Sequence, residues 1–315
     1  MIDVRRLRVL REVAQRGSFS AAGEALGYTQ PAVSQQIAAL ERETGTVLVD
    51  RNARGVRLTD AGRTLVEHAE GILGRLAAAE EELEALAGLR GGRLRLASFP
   101  SAGATLLPLA IAEFSRSHPA VELSLVESEP EEAIPQLKAG ELDLALVYEY
   151  ADARAAREGI DETDVDLLHL LDDPMHLALP LDHPLARKRT VKLEDLSEDL
   201  WVQGDGTGSC GQMHLAACQS AGFSPRVGFE TNDYNVVQGL VAAGVAVSLI
   251  AELALTNLRE DIVVRPLGKQ APIRHVWAAT LAGAYRSPAV EAMLEVMQIA
   301  AQEYGAGNSA RLAAA

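Results

Sequence analysis

The sequence predicts a small, mostly helical N-terminal domain with a two-stranded wing, then one long helix, then a larger α/β region. Three observations carry that prediction. Residues 18–41, SFSAAGEALGYTQPAVSQQIAALE, read as two short helices meeting at a tight turn. Leu65, Ala69, Ile72, Leu76, Ala79, Leu83 and Leu86 then recur in alternating steps of four and three, the 3.5-residue period of a helical seam. Beyond the glycines at 88, 91 and 92, β-prone runs alternate with helix-period segments, as in a sheet covered by helices.

Taken in order, residues 3–16 form an arginine-rich amphipathic helix with Leu7, Leu10 and either Val13 or Ala14 turned inward. Residues 20–26 are alanine-rich, and their small side chains allow close helix approach. Gly27 suits a helix stop, because glycine enters the left-handed conformation without a Cβ penalty. Thr29 is placed to cap the next helix, and Pro31 falls in its first turn, where a missing N–H costs nothing. Val33, Ile37 and Leu40 make one buried stripe on that helix. Its opposite face carries Gln30, Ser34, Gln35 and Ala38, short, hydrogen-bonding and uncharged, the surface of a helix that reads base edges in a major groove. A helical hairpin with a merely solvated face is the blander alternative.

Residues 46–59 hold two β-prone runs around residues 52–55, the pattern of a wing. Arg51, Arg54 and Arg57 fall at or near its tip, where they can meet phosphates, or simply be solvated. Residues 60–89 read as one helix. Leu65, Ile72, Leu76, Leu83 and Leu86 lie on its seam, so self-association is expected, against the alternative of a connector packed on its own chain. The region from 91 to 304 then reads as strands at 93–98, 121–127, 142–147, 167–171, 175–179, 227–230, 245–250, 262–265 and 275–281, with helices at about 104–118, 131–139, 210–221, 234–243 and 288–304. Residues 305–315 are small and polar, and a frayed tail is expected there.

The chain's net charge of −15 is unevenly placed. Through Thr59 there are nine arginines against six acidic residues, so this part is +3 while the remainder is −18. Phosphate contact needs local positive charge, and salt screens the acidic bulk beyond roughly 10 Å; any nucleic-acid surface therefore belongs at the N-terminus. There is no apolar run long enough for a membrane span and no signal-peptide pattern, so a cytoplasmic location away from membranes is expected. The seven histidines are scattered, and no GxSxG, P-loop, HExxH or dinucleotide fingerprint occurs. The expectation is a protein without catalysis, cofactor or metal.

Over essentially its whole length the chain resembles the LysR-type transcriptional regulators. The segments FSAAGEALGYTQPAVSQQIAALERETGTVLVDR and GVRLTDAG follow that family's winged helix-turn-helix signature. More loosely, SFPSAGATLLPLAIAEFSRSHPAVELSLVE, AGELDLALV and ETNDYNVVQGLVAAGVAVSLI resemble parts of its effector domain. The resemblance implies an α/β effector domain of two lobes, of the type-2 periplasmic-binding-protein kind, preceded by an all-α-dominated winged helix-turn-helix domain and a long linker helix. The corresponding division is 1–59, 60–90 and 91–304, with lobe 1 at about 91–163 and 268–304 and lobe 2 at about 164–267. The crossovers fall near 164–166 and 265–268. Also implied are a homodimer through the linker helix, often a homotetramer, operator DNA with dyad symmetry, a small-molecule effector, and RNA polymerase as a further partner. This chain departs from the family pattern where Gln35 and Gln36 replace a usual basic residue, Val49 a phenylalanine, and Ala251–Glu252 a usual proline site.

Ligands in α/β sheets bind where strand ends meet helix starts. The loop 98–105 offers Ser98 and Ser101, with ordinary helix capping as the alternative, and QGDGTGS offers Gln203, Thr207 and Ser209. Ser128, Tyr148 and Asn232 are candidates for the remaining walls, and Glu129 and Glu149 for the cleft mouth. Donor-rich loops beside carboxylates favour an amino acid, another zwitterion or a carboxylate as effector. Cys210 and Cys218 invite comparison with peroxide-sensing family members, but positions eight apart on a helix lie about 12 Å apart along its axis, too far for a disulfide. Thiol-based sensing is thus the lesser alternative, beside a cytoplasmic solute-binding module whose N-terminal helices serve only assembly.

Overall fold

The computed structural model describes residues 2–52, 55–86, 92–150 and 164–314. The chain divides into two compact units. One is Met1–Arg90 with the short segments Gln136–Glu141 and Gly283–Ser287, and the other is Gly91–Pro135, Leu142–Ala282 and Pro288–Ala315.

In the first unit, three helices and a hairpin precede the long helix: α1 (Val4–Arg16), α2 (Phe19–Leu26), α3 (Gln30–Thr44), β1 (Val49–Asn52), β2 (Gly55–Leu58) and α4 (Asp60–Leu86). Local chemistry sets each boundary. Asp3, Ser18 and Thr29 accept from backbone N–H groups of the first turns of α1, α2 and α3, which satisfies donors a helix start leaves free. Gly27 ends α2 with φ +69°. Gly23 marks the close approach, since a Cβ there would lie 2.7 Å from the Tyr28 carbonyl oxygen. Leu7, Leu10, Val13, Val33, Ile37, Leu40 and Leu48 form the buried core, each contributing about 1.5–3 kcal/mol by leaving water. The start of α4 joins it: Ala69 is fully buried and Leu65 packs against the cluster.

The second unit contains β3 (Arg93–Ser98), α5 (Pro100–Ala104), α6 (Leu106–Ser117), β4 (Glu122–Glu127), α7 (Pro130–Lys138), β5 (Leu144–Tyr150) and β6 (Val165–Pro180). It continues with β7 (Leu200–Gln203), α8 (Ser209–Ser220), β8 (Arg226–Glu230), α9 (Tyr234–Ala242), β9 (Ser248–Ala251), β10 (Ile262–Pro266), β11 (Ile273–Leu281) and α10 (Pro288–Ala314). One lobe is built on the order β4-β3-β5-β11-β6, with β3 parallel to β4 and β5, and β11 antiparallel to β5 and β6. In the other lobe the second half of β6 pairs antiparallel with β9 and β10, while β7 runs parallel to β8 and bridges to Val247.

Four expectations are corrected here. Residues 167–171 and 175–179 are not two strands but one 16-residue strand, β6, that serves both lobes. Consequently the first crossover does not fall near 164–166. Residues 165–171 still bond to β11 of the first lobe, and β6 passes over at Asp172–Asp173–Pro174. The second crossover is the stretch between Pro266 and Ile273. Third, the stretch 98–105, expected as a loop, carries the short helix α5, and the helix expected at about 104–118 follows it as α6. Fourth, residues 305–314 continue α10 instead of forming a frayed tail, which fits their alanine content, alanine being the strongest helix former. Strand β7 has no counterpart in the sequence reading, because four residues are too few to show a period.

Candidate functional site

On α3, Gln30, Pro31 and Gln35 are exposed and Ser34 is half-buried, opposite the fully buried Val33, Ile37 and Leu40. The helix thus presents an uncharged, hydrogen-bonding face. Gln36 is excluded from it, because its Oε1 accepts from Arg6 Nε of α1 at 3.2 Å. The wing pairs Val49 with Leu58 and Asp50 with Arg57. Arg57 is exposed, as is its cross-strand neighbour Asp50. Arg54 and the side chain of Arg51 lie outside the described residues, as does the side chain of Leu86.

The expected seam on α4 is only partly available. Leu65 is engaged by the unit's own core. Ile72, Leu76 and Leu83 are 45%, 44% and 66% exposed, large apolar side chains without cover in the single chain.

In the second unit a cavity of about 20 Å³ lies where the two lobes and their crossovers meet, room for about one water molecule. Ser101, Tyr148, Gly204, Cys210, Asn232 and Arg274 are among its lining residues. Arg274 organises it. This side chain, 2% exposed, donates to Asp173 Oδ2 from Nε at 3.0 Å and Nη2 at 2.5 Å, and to Ser101 Oγ from Nη2 at 2.7 Å. Its guanidinium carbon sits 4.7 Å from the Phe99 ring centre and 4.8 Å from that of Tyr148, within cation–π range. Asp173 also accepts the Leu253 N–H at 3.0 Å. The pair therefore holds together both crossovers, the α5 turn and the start of the segment after β9. Burial would lower the Arg274 pKa, but Asp173 outweighs it and keeps the group cationic; burial pushes the Asp173 carboxyl up against the pull of Arg274.

Tyr148 donates its hydroxyl to Glu129 at 3.0 Å. Burial raises the Glu129 carboxyl despite that hydrogen bond. Asn232 accepts the Asp205 N–H at 3.1 Å through Oδ1.

Of the residues singled out from sequence for the effector site, Ser101, Glu129, Tyr148, Cys210 and Asn232 line the cavity, whereas Ser98, Ser128, Glu149, Gln203, Thr207 and Ser209 do not. Ser98 is buried and donates to the Phe99 carbonyl at 3.0 Å. The Ser128 hydroxyl is engaged with the Glu129 carbonyl at 3.4 Å. Gln203 is buried with Oε1 lacking a partner. Thr207 is exposed and turned to Asp205, its N–H and hydroxyl both donating to Oδ1. The N–H and hydroxyl of Ser209, at the start of α8, both donate to Glu131 of α7 in the other lobe, the N–H at 3.1 Å. Glu131 thus occupies the helix start that the sequence reading gave to a ligand. Arg274 and Asp173 were missed; the available signal was a lone arginine inside the apolar run IRHVWAATL.

Burial pushes the Cys210 thiol up, and Cys218 up to about 12. Both sit on α8 as free thiols.

Residues 4–63 match the bacterial regulatory helix-turn-helix protein, lysR family, and residues 87–302 match the LysR substrate binding domain. The chain belongs to the LysR family of transcriptional regulators. Among its relatives, a hydrogen peroxide-inducible genes activator of Dickeya chrysanthemi is 30% identical over 87% of this chain and 88% of its own length. The transcriptional dual regulator GltC of Bacillus subtilis (strain 168) is 30% identical, covering 84% and 85%. The fold matches full-length OxyR C199D from Pseudomonas aeruginosa with a TM-score of 0.69 at 24% identity, covering 95% of both chains. It also matches full-length CbnR in complex with its target DNA, with a TM-score of 0.60 at 22% identity, covering 95% of this chain and 100% of that one. Like other LysR regulators, this protein couples a DNA-binding helix-turn-helix domain to an effector-binding domain. Among the described residues no helix is long and apolar enough to cross a membrane.

Proposed function

We propose that this LysR regulator senses a small polar metabolite held between its lobes at Ser101, Tyr148, Asn232 and Arg274. The observation that carries the reading is the Asp173–Arg274 pair. It sits on both crossovers and reaches Ser101 in the cavity wall, so a ligand contacting Ser101 or Arg274 interacts with the point where the lobes join. Only differential binding to two lobe arrangements can shift the DNA-bound population. Arg274 and Ser101 suit a carboxylate, and Glu129 suits an amine, which favours an amino acid or similar zwitterion. A cavity of about 20 Å³ is too small for one, so binding requires the lobes to part and the Ser209–Glu131 contact to release.

On this reading the protein binds and does not catalyse. The cavity's polar groups are engaged with one another, and its thiol is held protonated rather than activated. The exposed stripe of Ile72, Leu76 and Leu83 supports a homodimer through α4, extended to a tetramer by the effector domains. Gln30, Pro31, Ser34 and Gln35 read an operator with dyad symmetry, and Arg51, Arg54 and Arg57 meet its phosphates. The protein works in the cytoplasm, in contact with RNA polymerase. The domains divide at about residues 59 and 90.

Thermal unfolding of the full-length protein against a panel of amino acids and small carboxylates tests the ligand. At least one compound should raise the midpoint, and Ser101→Ala and Asn232→Ala should each abolish the rise. Unchanged responses in both variants would remove the cavity from consideration. A second reading, thiol-based sensing, draws on Cys210 lining the cavity and on the peroxide-responsive relatives. It predicts that peroxide alters operator binding and that Cys210→Ser abolishes the change. The raised Cys210 pKa speaks against it, because the thiolate is the reactive form.

A further inference from the structure

Two histidines and an aspartate come together on the exposed face of the β6–β11 pair, outside the cavity. His169 and Asp172 lie on β6 and His275 on β11, and their ligand atoms all fall within 4.8 Å of one another. His169 Nε2 is 2.9 Å and His275 Nδ1 2.7 Å from the same oxygen, Asp172 Oδ1. Residues three apart on a regular strand point to opposite faces. Here β6 is irregular: Val276 pairs with Leu171 but Trp277 with His169, so Leu170 is an extra residue. That bulge restores His169 and Asp172 to one face, the kind of re-aiming bulges produce.

We propose that His169, Asp172 and His275 form a binding site for one divalent transition-metal ion of the Zn²⁺, Ni²⁺ or Cu²⁺ kind. Two imidazole nitrogens and a carboxylate oxygen suit these ions, whereas Mg²⁺ and Ca²⁺ prefer oxygen donors throughout. With metal–ligand lengths of about 2.0–2.2 Å, ligand atoms around a tetrahedral ion lie roughly 3.3 Å apart. Small side-chain rotations at this exposed face close the difference. Binding replaces the two contacts to Asp172 with metal bonds, through the same two ring nitrogens. Trp277 supports the His169 ring edge-on, with centroids 4.9 Å apart. Glu149 stands directly across from His275 in the β5–β11 register and adds negative charge on that face. Three protein ligands leave a fourth position for water. Asp172 precedes Asp173 and His275 follows Arg274 in the chain, so a bound ion clamps the crossover strands one residue from the buried pair.

The full-length protein, stripped with EDTA and dialysed, is titrated with Zn²⁺ by calorimetry at neutral pH, and with Co²⁺ by visible absorption. The wild type should bind one ion per chain, and Co²⁺ should give ligand-field bands. His169→Gln, Asp172→Asn and His275→Asn should each weaken Zn²⁺ binding at least about tenfold, while His68→Gln, on an exposed part of α4, should not. His169 and Asp172 are exposed, so those two variants carry the test even if His275→Asn proves unstable. Zn²⁺ should raise the unfolding temperature of wild type but not of the His169→Gln/Asp172→Asn double variant. No stoichiometric binding, full binding retained in that double variant, or equal weakening by His68→Gln would each overturn the site.

Discussion

Replacing Arg274 with methionine isolates the interaction that joins the two lobes. The substitution keeps most of the aliphatic stem but removes both hydrogen bonds to Asp173, the one to Ser101 and the packing against Phe99 and Tyr148. Asp173 is 1% exposed and would keep the Leu253 N–H as a donor but lose the cation. Leaving one buried charge without its partner costs about 3–5 kcal/mol. At roughly 2–4 °C per kcal/mol for a unit of this size, the loss corresponds to about 6–20 °C. Trp201 and Trp277 are the chain's two tryptophans and both lie in this unit, so their fluorescence during denaturant unfolding reports the right transition. Asp173→Asn on the Arg274→Met background removes the stranded charge while keeping an acceptor for Leu253, and should recover most of the loss. A cost below about 1 kcal/mol for Arg274→Met, or a double variant as unstable as the two singles summed, would refute the argument.

Burial holds the His214 pKa down, to about 4, and its Nε2 lies 3.3 Å from the Leu249 carbonyl oxygen. In the unfolded chain the ring titrates near 6.5. Above that value folding carries no penalty from this residue, and stability falls as pH drops from about 6.5 to 4, by up to about 3 kcal/mol. His214→Leu should flatten that part of the stability–pH curve, and an unchanged curve would show that another group sets it. Gln30→Ala or Gln35→Ala should relax preference at particular operator positions by about 1–3 kcal/mol. Arg57→Ala should instead weaken all sequences alike and reduce the salt slope by about one unit; competition binding with operator variants distinguishes the two patterns. Leu76→Glu should shift the protein toward monomer in sedimentation, since like charges would face each other across the α4 seam.

The parts of this fold that were legible in the sequence are those set by neighbours in the chain. The caps Ser18 and Thr29, the stop at Gly27 and the proline in the first turn of α3 define the helix pair within one short stretch of chain. The seam period was equally local, but whether each seam residue is free depends on the rest of the unit, and Leu65 and Ala69 turned out to be taken by the core. Strand β6 read as two pieces because Asp172, Asp173 and Pro174 interrupt the apolar pattern. Only pairing with β9, β10 and β11, far along the chain, shows that it continues. The cavity follows the same logic. Arg274 meets Asp173 across 101 residues and Ser209 meets Glu131 across 78, and no spacing rule connects either pair. His169 and His275 were scattered in sequence and adjacent in the sheet for the same reason.

On the proposed function, occupancy of the cavity between the lobes changes how the N-terminal helices hold DNA. The most direct measurement is equilibrium binding of the full-length protein to its own upstream DNA, with and without a stabilising ligand from the thermal panel. It is repeated for Ser101→Ala. The wild type should show a ligand-dependent change in operator affinity. In the variant that change should be absent, while affinity without ligand stays within a few-fold. Binding indistinguishable from that to unrelated DNA, or an undiminished ligand response in Ser101→Ala, would contradict the proposed function.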